Sequence, residues 1–115
     1  MIYLASPYSH DNKFIRELRH RTAMKVTADL LREGLVIYSP IVHCHGLSKR
    51  HDLPGEFTFW RDYCLGMLIC ANNLFVLTSS GWNESVGVKM EMEFARENKI
   101  PIHLINEKLQ VTPCE

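Results

Sequence analysis

The stretch Leu74-Phe75-Val76-Leu77-Thr78-Ser79-Ser80-Gly81-Trp82-Asn83-Glu84-Ser85-Val86-Gly87-Val88 decides the reading of the fold. Its opening residues are continuously apolar, with no polar alternation, which describes a strand covered on both faces. The small and polar residues from Thr78 to Asn83 form a turn. A helix is then expected from about Glu84 to Asn98. A covered strand that passes through a turn into a helix is half of a parallel crossover unit.

The pattern repeats on either side. Ile2-Tyr3-Leu4-Ala5 is a short apolar run stopped by Ser6-Pro7-Tyr8-Ser9. A helix is expected from about Asp11 to Glu33, with Ile15, Leu18, Thr22, Val26 and Leu30 facing inward. Ser9 or Asp11 would cap its start, and Gly34 supplies a left-handed stop. Leu35-Val36-Ile37-Tyr38 reads as a second strand closed by Ser39-Pro40. Ile41 to Glu56 reads as a loop, because it holds Gly46, Pro54, Gly55 and the histidines His43, His45 and His51. A connection that long is expected to be functional. Thr58 to Ala71 reads as a helix and Pro101 to Ile105 as a fourth strand, while the last ten residues carry too little pattern to assign.

This order predicts a single α/β domain over residues 1–115, with a parallel sheet covered on both faces. Ligands of such sheets bind beyond the carboxyl ends of the strands. Ser6-Pro7-Tyr8, Ser39 to His45 and Thr78 to Trp82 each follow a strand, so one edge of the sheet should carry the function.

Composition narrows the class. With 46% hydrophobic and 23% charged residues, the 115-residue chain is globular rather than disordered. Thirteen basic residues balance thirteen acidic ones without a basic run, so duplex nucleic acid is not expected as a partner. The longest uncharged stretch, Tyr63 to Trp82, is broken by Gly66, Asn72 and Asn73, so no membrane span is expected. No signal-peptide pattern is visible at the start. Cys44, Cys64, Cys70 and Cys114 form no Cys-x-x-Cys pair and read as free thiols, which points to a soluble, cytoplasmic protein.

The last helix holds one carboxylate out of place. At roughly 100° per residue, with Val88 at about 0°, Met92 falls at about 40° and Ala95 at about 340°. Gly87 falls at about 260° and Phe94 at about 240°, so Glu91, at about 300°, lies inside the apolar arc. An ionised carboxylate there costs several kcal/mol unless it is paired or hydrogen-bonded. One reading is a structural ion pair; the other is a functional acid. Gly87, one turn nearer the ligand edge, favours function, since a glycine inside a helix costs roughly 1 kcal/mol and lets a ligand approach closely.

At these residues the chain resembles the nucleoside 2-deoxyribosyltransferase-like superfamily, and a small branch of it in particular. The resemblance is carried by Ile2-Tyr3-Leu4-Ala5-Ser6-Pro7-Tyr8-Ser9, by Ser39-Pro40-Ile41 to His45, and by Gly81-Trp82-Asn83-Glu84-Ser85-Val86-Gly87-Val88 followed by Glu91 and Phe94-Ala95. It covers nearly the whole chain to Ile105. It implies a flavodoxin-like three-layer sandwich with a four- to five-stranded parallel sheet, assembled as a homodimer or higher homo-oligomer. It also implies cleavage or transfer at the N-glycosidic bond of a nucleoside or nucleoside 5′-monophosphate. Glu91 would be the nucleophile at C1′, in the manner of a retaining glycosidase. Ser85, in the first helical turn, would help hold the 5′-phosphate.

The family often has Asp at the position of Cys64, and a second at Asn72. Asp62 is the nearest candidate for a general acid here. A thiol is a poor general acid near neutrality, so a catalytically silent nucleotide-binding protein remains the alternative. The expected binding residues are Ser6, Pro7 and Ser85 around sugar or phosphate, and Tyr8, His43 and Trp82 around the base. His45, Gly81 and Gly87 complete the set. Tyr3 is expected in the core with its hydroxyl reaching the pocket, and Trp60 reads equally as a stacking surface for a base or as packing. His43, His45 and His51, with Cys44 and Asp52, have possible ligand spacing, but no second cluster supports it. Neither a metal nor a cofactor is expected, and no Gly-x-Gly-x-x-Gly or Walker-type run is present.

Overall fold

Strand β1 (Ile2–Ala5) lies inside a five-stranded sheet of order β2-β1-β3-β4-β5. The computed structural model describes residues 1–54 and 57–114, apart from the Phe57 side chain. Gly55 and Glu56, at the end of the expected loop, lie outside the described residues. Strands β2 (Ile37–Tyr38), β3 (Asn73–Leu77) and β4 (Ile102–Ile105) run parallel to β1. The fold is α/β and compatible with a flavodoxin-like three-layer sandwich.

One expectation about the sheet changes. The unassigned tail forms β5 (Val111–Cys114), which pairs antiparallel with β4, so the sheet is mostly rather than wholly parallel. The Asn106 carboxamide oxygen accepts from the backbone N–H groups of Lys108, at 2.9 Å, and Gln110, at 3.0 Å. That side chain builds the reversal. Pro113 is tolerated because β5 is an edge strand.

Helix α1 (Lys13–Arg32) covers one face of the sheet, where Val26 and Leu30 pack with Leu4, Leu77 and Ile105. Helices α3 (Phe57–Leu68) and α4 (Val86–Glu97) cover the other, where Cys64, Leu68, Val88 and Ala95 pack with Tyr3, Ala5, Leu74 and Val76. Asn12, not Ser9 or Asp11, caps α1; its side chain accepts from the Phe14 N–H. The inner face of α1 is Ala23, Val26, Thr27 and Leu30, whereas Leu18 is 60% exposed. The first turns of α1 run beside a neighbouring helix, where Glu17 bonds His45 and Lys49, and so bury little apolar surface. Gly34 does adopt the left-handed conformation, at φ +85°.

The neighbouring helix is the main departure from expectation. Residues read as a loop form α2 (Pro40–Arg50), which starts on Ser39 as N-cap with Pro40 in the first turn and ends on Lys49 and Arg50. Each of these is a favourable helix-end choice. No helix among the described residues is long and apolar enough to cross a membrane. Helix α3 leaves Phe59 and Tyr63 exposed, one turn apart.

These assignments separate two leucines. Leu77→Ala, in the sealed cluster under α1, should cost about 2–5 kcal/mol in urea denaturation. Leu18→Ala should stay within about 0.5 kcal/mol of the native protein.

Candidate active site

The strand order reverses direction between β1 and β3, and the segments that leave their carboxyl ends open a cleft there. The cleft has a volume of about 340 Å³. Ser6, Tyr8 and Ser9 line it from the β1 side, and Glu84, Ser85, Val86, Gly87 and Glu91 from the β3–α4 side. Helix α2 supplies Pro40, Ile41, Cys44, His45 and Ser48, and α3 supplies Trp60 and Cys64.

Glu91 is 5% exposed and belongs to the wall of this cleft. Its Oε2 accepts a hydrogen bond from the Tyr3 hydroxyl. Among the described residues, no lysine or arginine lines the cleft. Burial therefore dominates and pushes the Glu91 carboxyl up to about 7, against the opposing pull of the Tyr3 bond. The same burial, reinforced by the Glu91 charge, holds the Tyr3 phenol above its ordinary range. Burial and Glu91 also push the Cys64 thiol up to about 12, so it stays neutral beside the acid.

Ser85 is the N-cap of α4, and its Oγ accepts from the Val88 N–H at 3.2 Å. Its own O–H remains available to a ligand, alongside the first-turn amides that helices leave without internal partners. Ser6 lies across the cleft, 6% exposed, and its Oγ has no hydrogen-bond partner among the described residues. A buried hydroxyl without a partner is uncommon, and here it belongs to a cavity wall.

Tyr8 and His45 form the α2 side of the wall. The Tyr8 hydroxyl lies 2.6 Å from His45 Nδ1, and His45 Nε2 lies 3.0 Å from Glu17 Oε1. Lys49 and His45 both bond Glu17, Lys49 the more strongly, and hold its carboxyl below the usual range. A carboxylate only accepts, so neutral His45 carries its proton on Nε2 and accepts from Tyr8 at Nδ1. His20 stacks on His45 with ring centroids 4.0 Å apart.

Of the residues singled out in the sequence, Glu91, Ser6, Tyr8, His45, Ser85 and Gly87 share the cleft. Asp62 does not: its side chain is 92% exposed, 3.5 Å from Arg61, because it sits on the outer side of α3. His43 is also corrected. On a helix, residues two apart point in nearly opposite directions, so it leaves His45 and packs between Tyr38 and Tyr63. Pro7 is sealed in the core, and Trp82 packs against the cluster under α3 and α4. Gly81 faces the Arg19 guanidinium at φ +89° and shapes the turn without lining the cleft. Asn72 accepts from the amino group of Met1. Trp60 does line the cleft, one of the two readings its sequence context left open, as do Ile41 and Cys44 from the expected Ser39 to His45 segment. Ser48 was not anticipated, and the Ser39-Pro40 helix start was its signal.

Residues 1–107 match a family model described as a domain of unknown function, DUF1937. The chain belongs to that family. No curated protein matches it.

The raised Glu91 carboxyl has a consequence for stability. Its folded value of about 7 exceeds the ordinary 4.5, so between those values the folded chain binds more protons than the unfolded one. That contribution is complete below about pH 4.5 and is lost as pH rises through 7, a fall of about 3 kcal/mol at 1.36 kcal/mol per unit. Glu91→Gln keeps an acceptor for Tyr3 and removes the charge. Urea denaturation should show the variant overtaking the native protein above pH 7, with the difference shrinking at pH 5.

Proposed function

We propose that this protein cleaves or transfers the N-glycosidic bond of a nucleoside or nucleoside 5′-monophosphate. The observation that carries the reading is Glu91: a buried carboxyl in a cavity wall, held by a phenol and not locked to a cation. A structural acid at this depth is expected to be neutralised by a basic partner. One that is left near neutrality serves chemistry at neutral pH.

In this reading the Glu91 carboxylate attacks C1′ as the bond from C1′ to the base nitrogen breaks. The electron pair leaves with the base, whose nitrogen takes a proton, and a glycosyl ester to Glu91 remains. Water or a second base then attacks C1′ and releases the carboxylate. The Tyr3 hydrogen bond stabilises the carboxylate form before attack and after release. With Asp62 outside the cleft, the Tyr8 phenol is the remaining built donor, although burial raises its pKa and its O–H must first turn away from His45. Ser85, the α4 amides and the unpartnered Ser6 hydroxyl suit sugar oxygens or one phosphate group. Glu84 in the lining opposes further negative charge, which disfavours di- and triphosphates. Trp60 and Ile41 offer apolar surface to a base. Pairing of subunits through the exposed Phe59 and Tyr63 on α3 belongs to the same reading.

A second reading has its own observation. Cys64 lines the cleft where the resembling family often has Asp, and a thiol pushed up to about 12 gives no proton easily at pH 7. A nucleotide-binding protein without turnover would have such a cleft.

A panel of nucleosides and 5′-monophosphates, followed for free base, separates the two. Turnover should rise with pH along a limb near 7, where Glu91 ionises, and Glu91→Gln should lower kcat by at least about a hundredfold (~2.7 kcal/mol). Base release that survives Glu91→Gln would remove the nucleophile. Saturable binding with no release by the native protein would establish the binder.

A further inference from the structure

His45 has partners at both ring nitrogens, and the one away from the cleft belongs to a cluster that the glycosidic reading does not use as a site. Glu17 and His20 lie three residues apart on α1, the spacing that places side chains on one helix face. His45 meets them from α2. One ligand atom from each of Glu17, His20 and His45 lies within 4.8 Å of the other two, and all three side chains are half-buried. They border a second depression, of about 520 Å³, with Lys49 and His51.

We propose that Glu17, His20 and His45 bind a divalent transition ion of the zinc class, with solvent completing its coordination. Two imidazoles and one carboxylate suit a borderline ion, whereas calcium and magnesium favour oxygen donors. Metal–ligand distances near 2.1 Å set tetrahedral ligand atoms about 3.4 Å apart. His45 Nε2 and Glu17 Oε1 are already at 3.0 Å. Tilting the His20 ring off its stack brings in the third donor. Tyr8 on Nδ1 is the outer-shell partner that orients a ligating histidine. The Lys49 ammonium, 2.9 Å from the same Glu17 oxygen, is the cation the metal would displace. Its side chain is 68% exposed and can swing into solvent.

Occupancy would be felt in the cleft. With Nε2 on the metal, neutral His45 carries its proton on Nδ1 and donates to the Tyr8 oxygen. The Tyr8 O–H then turns away from His45, which is a tautomer shift with no net proton released. The ion thereby sets the direction in which the phenol of the cleft donates. None of this needs turnover, so the proposal stands apart from the glycosidic reading.

The test is calorimetric titration of untagged, chelator-stripped protein with zinc chloride, with cobalt(II) absorption as a second probe. One ion should bind per chain, and the cobalt form should show the ligand-field bands of a low-symmetry nitrogen–oxygen site. His20→Ala and Glu17→Gln should weaken binding at least tenfold, while His51→Ala leaves it unchanged. Lys49→Met, which removes no ligand, should tighten binding roughly two- to fivefold, the worth of an exposed ion pair. Circular dichroism checks that each variant is folded. Absence of saturable zinc binding, equal affinity in His20→Ala, or weaker binding in Lys49→Met would overturn the proposal.

Discussion

The hydrogen bond from the Tyr3 hydroxyl to Glu91 joins the interior strand β1 to helix α4, and the cleft is organised around it. Tyr3 is wholly buried, so its hydroxyl needs a partner inside the protein. Glu91 needs a donor for the same reason. Each group meets the other's requirement without an arginine or lysine, and that choice has a cost. A guanidinium would have depressed the carboxyl pKa and stored the charge as structure. A phenol only moderates the rise that burial imposes, and the group stays close to its neutral-pH titration. The interaction thus trades folding stability above neutrality for a carboxyl that can change state.

Topology supplies the space beside that carboxyl. β1 has β2 on one side and β3 on the other, so the segments leaving their carboxyl ends part company there. Ser6 and Tyr8 follow one strand at once, and the turn through Gly81 into Ser85 follows the other. Helix α2 closes the gap as a third wall. The wall is anchored from behind, because Glu17 on α1 bonds both His45 and Lys49 on α2. The position of Tyr8 in the cleft therefore depends on side chains that never reach it.

What could be read from the sequence followed the strength of local periodicity. Continuous apolar runs located β1, β3 and β4, because a strand covered on both faces has no polar residues to blur it. The helical arc of α4 singles out Glu91, since one charged residue among Val88, Met92 and Ala95 has few explanations. Composition misled at α2, where Gly46 and three histidines looked like a loop while Ser39-Pro40 and Lys49-Arg50 marked helix ends. The helix also turns His43 away from His45 and the cleft, which a loop reading has no means to anticipate. The grouping of Glu17 with His45 was out of reach, because it depends on how two helices pack. Leu18 shows the same limit, since periodicity marks an apolar face but not how far along a helix the sheet extends.

Cys64 connects these points. A second carboxylic acid at that position would face Glu91 inside one poorly screened cleft, and two acids at close range cannot both ionise readily. The thiol, pushed up to about 12, adds no charge and leaves the Glu91 carboxyl to burial and Tyr3 alone. If the cleft performs glycosyl transfer, the absence of an acid from the cleft side of α3 favours the nucleophile and moves proton delivery to the opposite wall. There the Tyr8–His45–Glu17 chain is already hydrogen-bonded end to end. The two halves of the chemistry would then be supplied by different layers of the fold. In that proposal the α4 side holds the group that must lose its proton, and the Tyr8 phenol, once its O–H turns from His45, is the group that can give one.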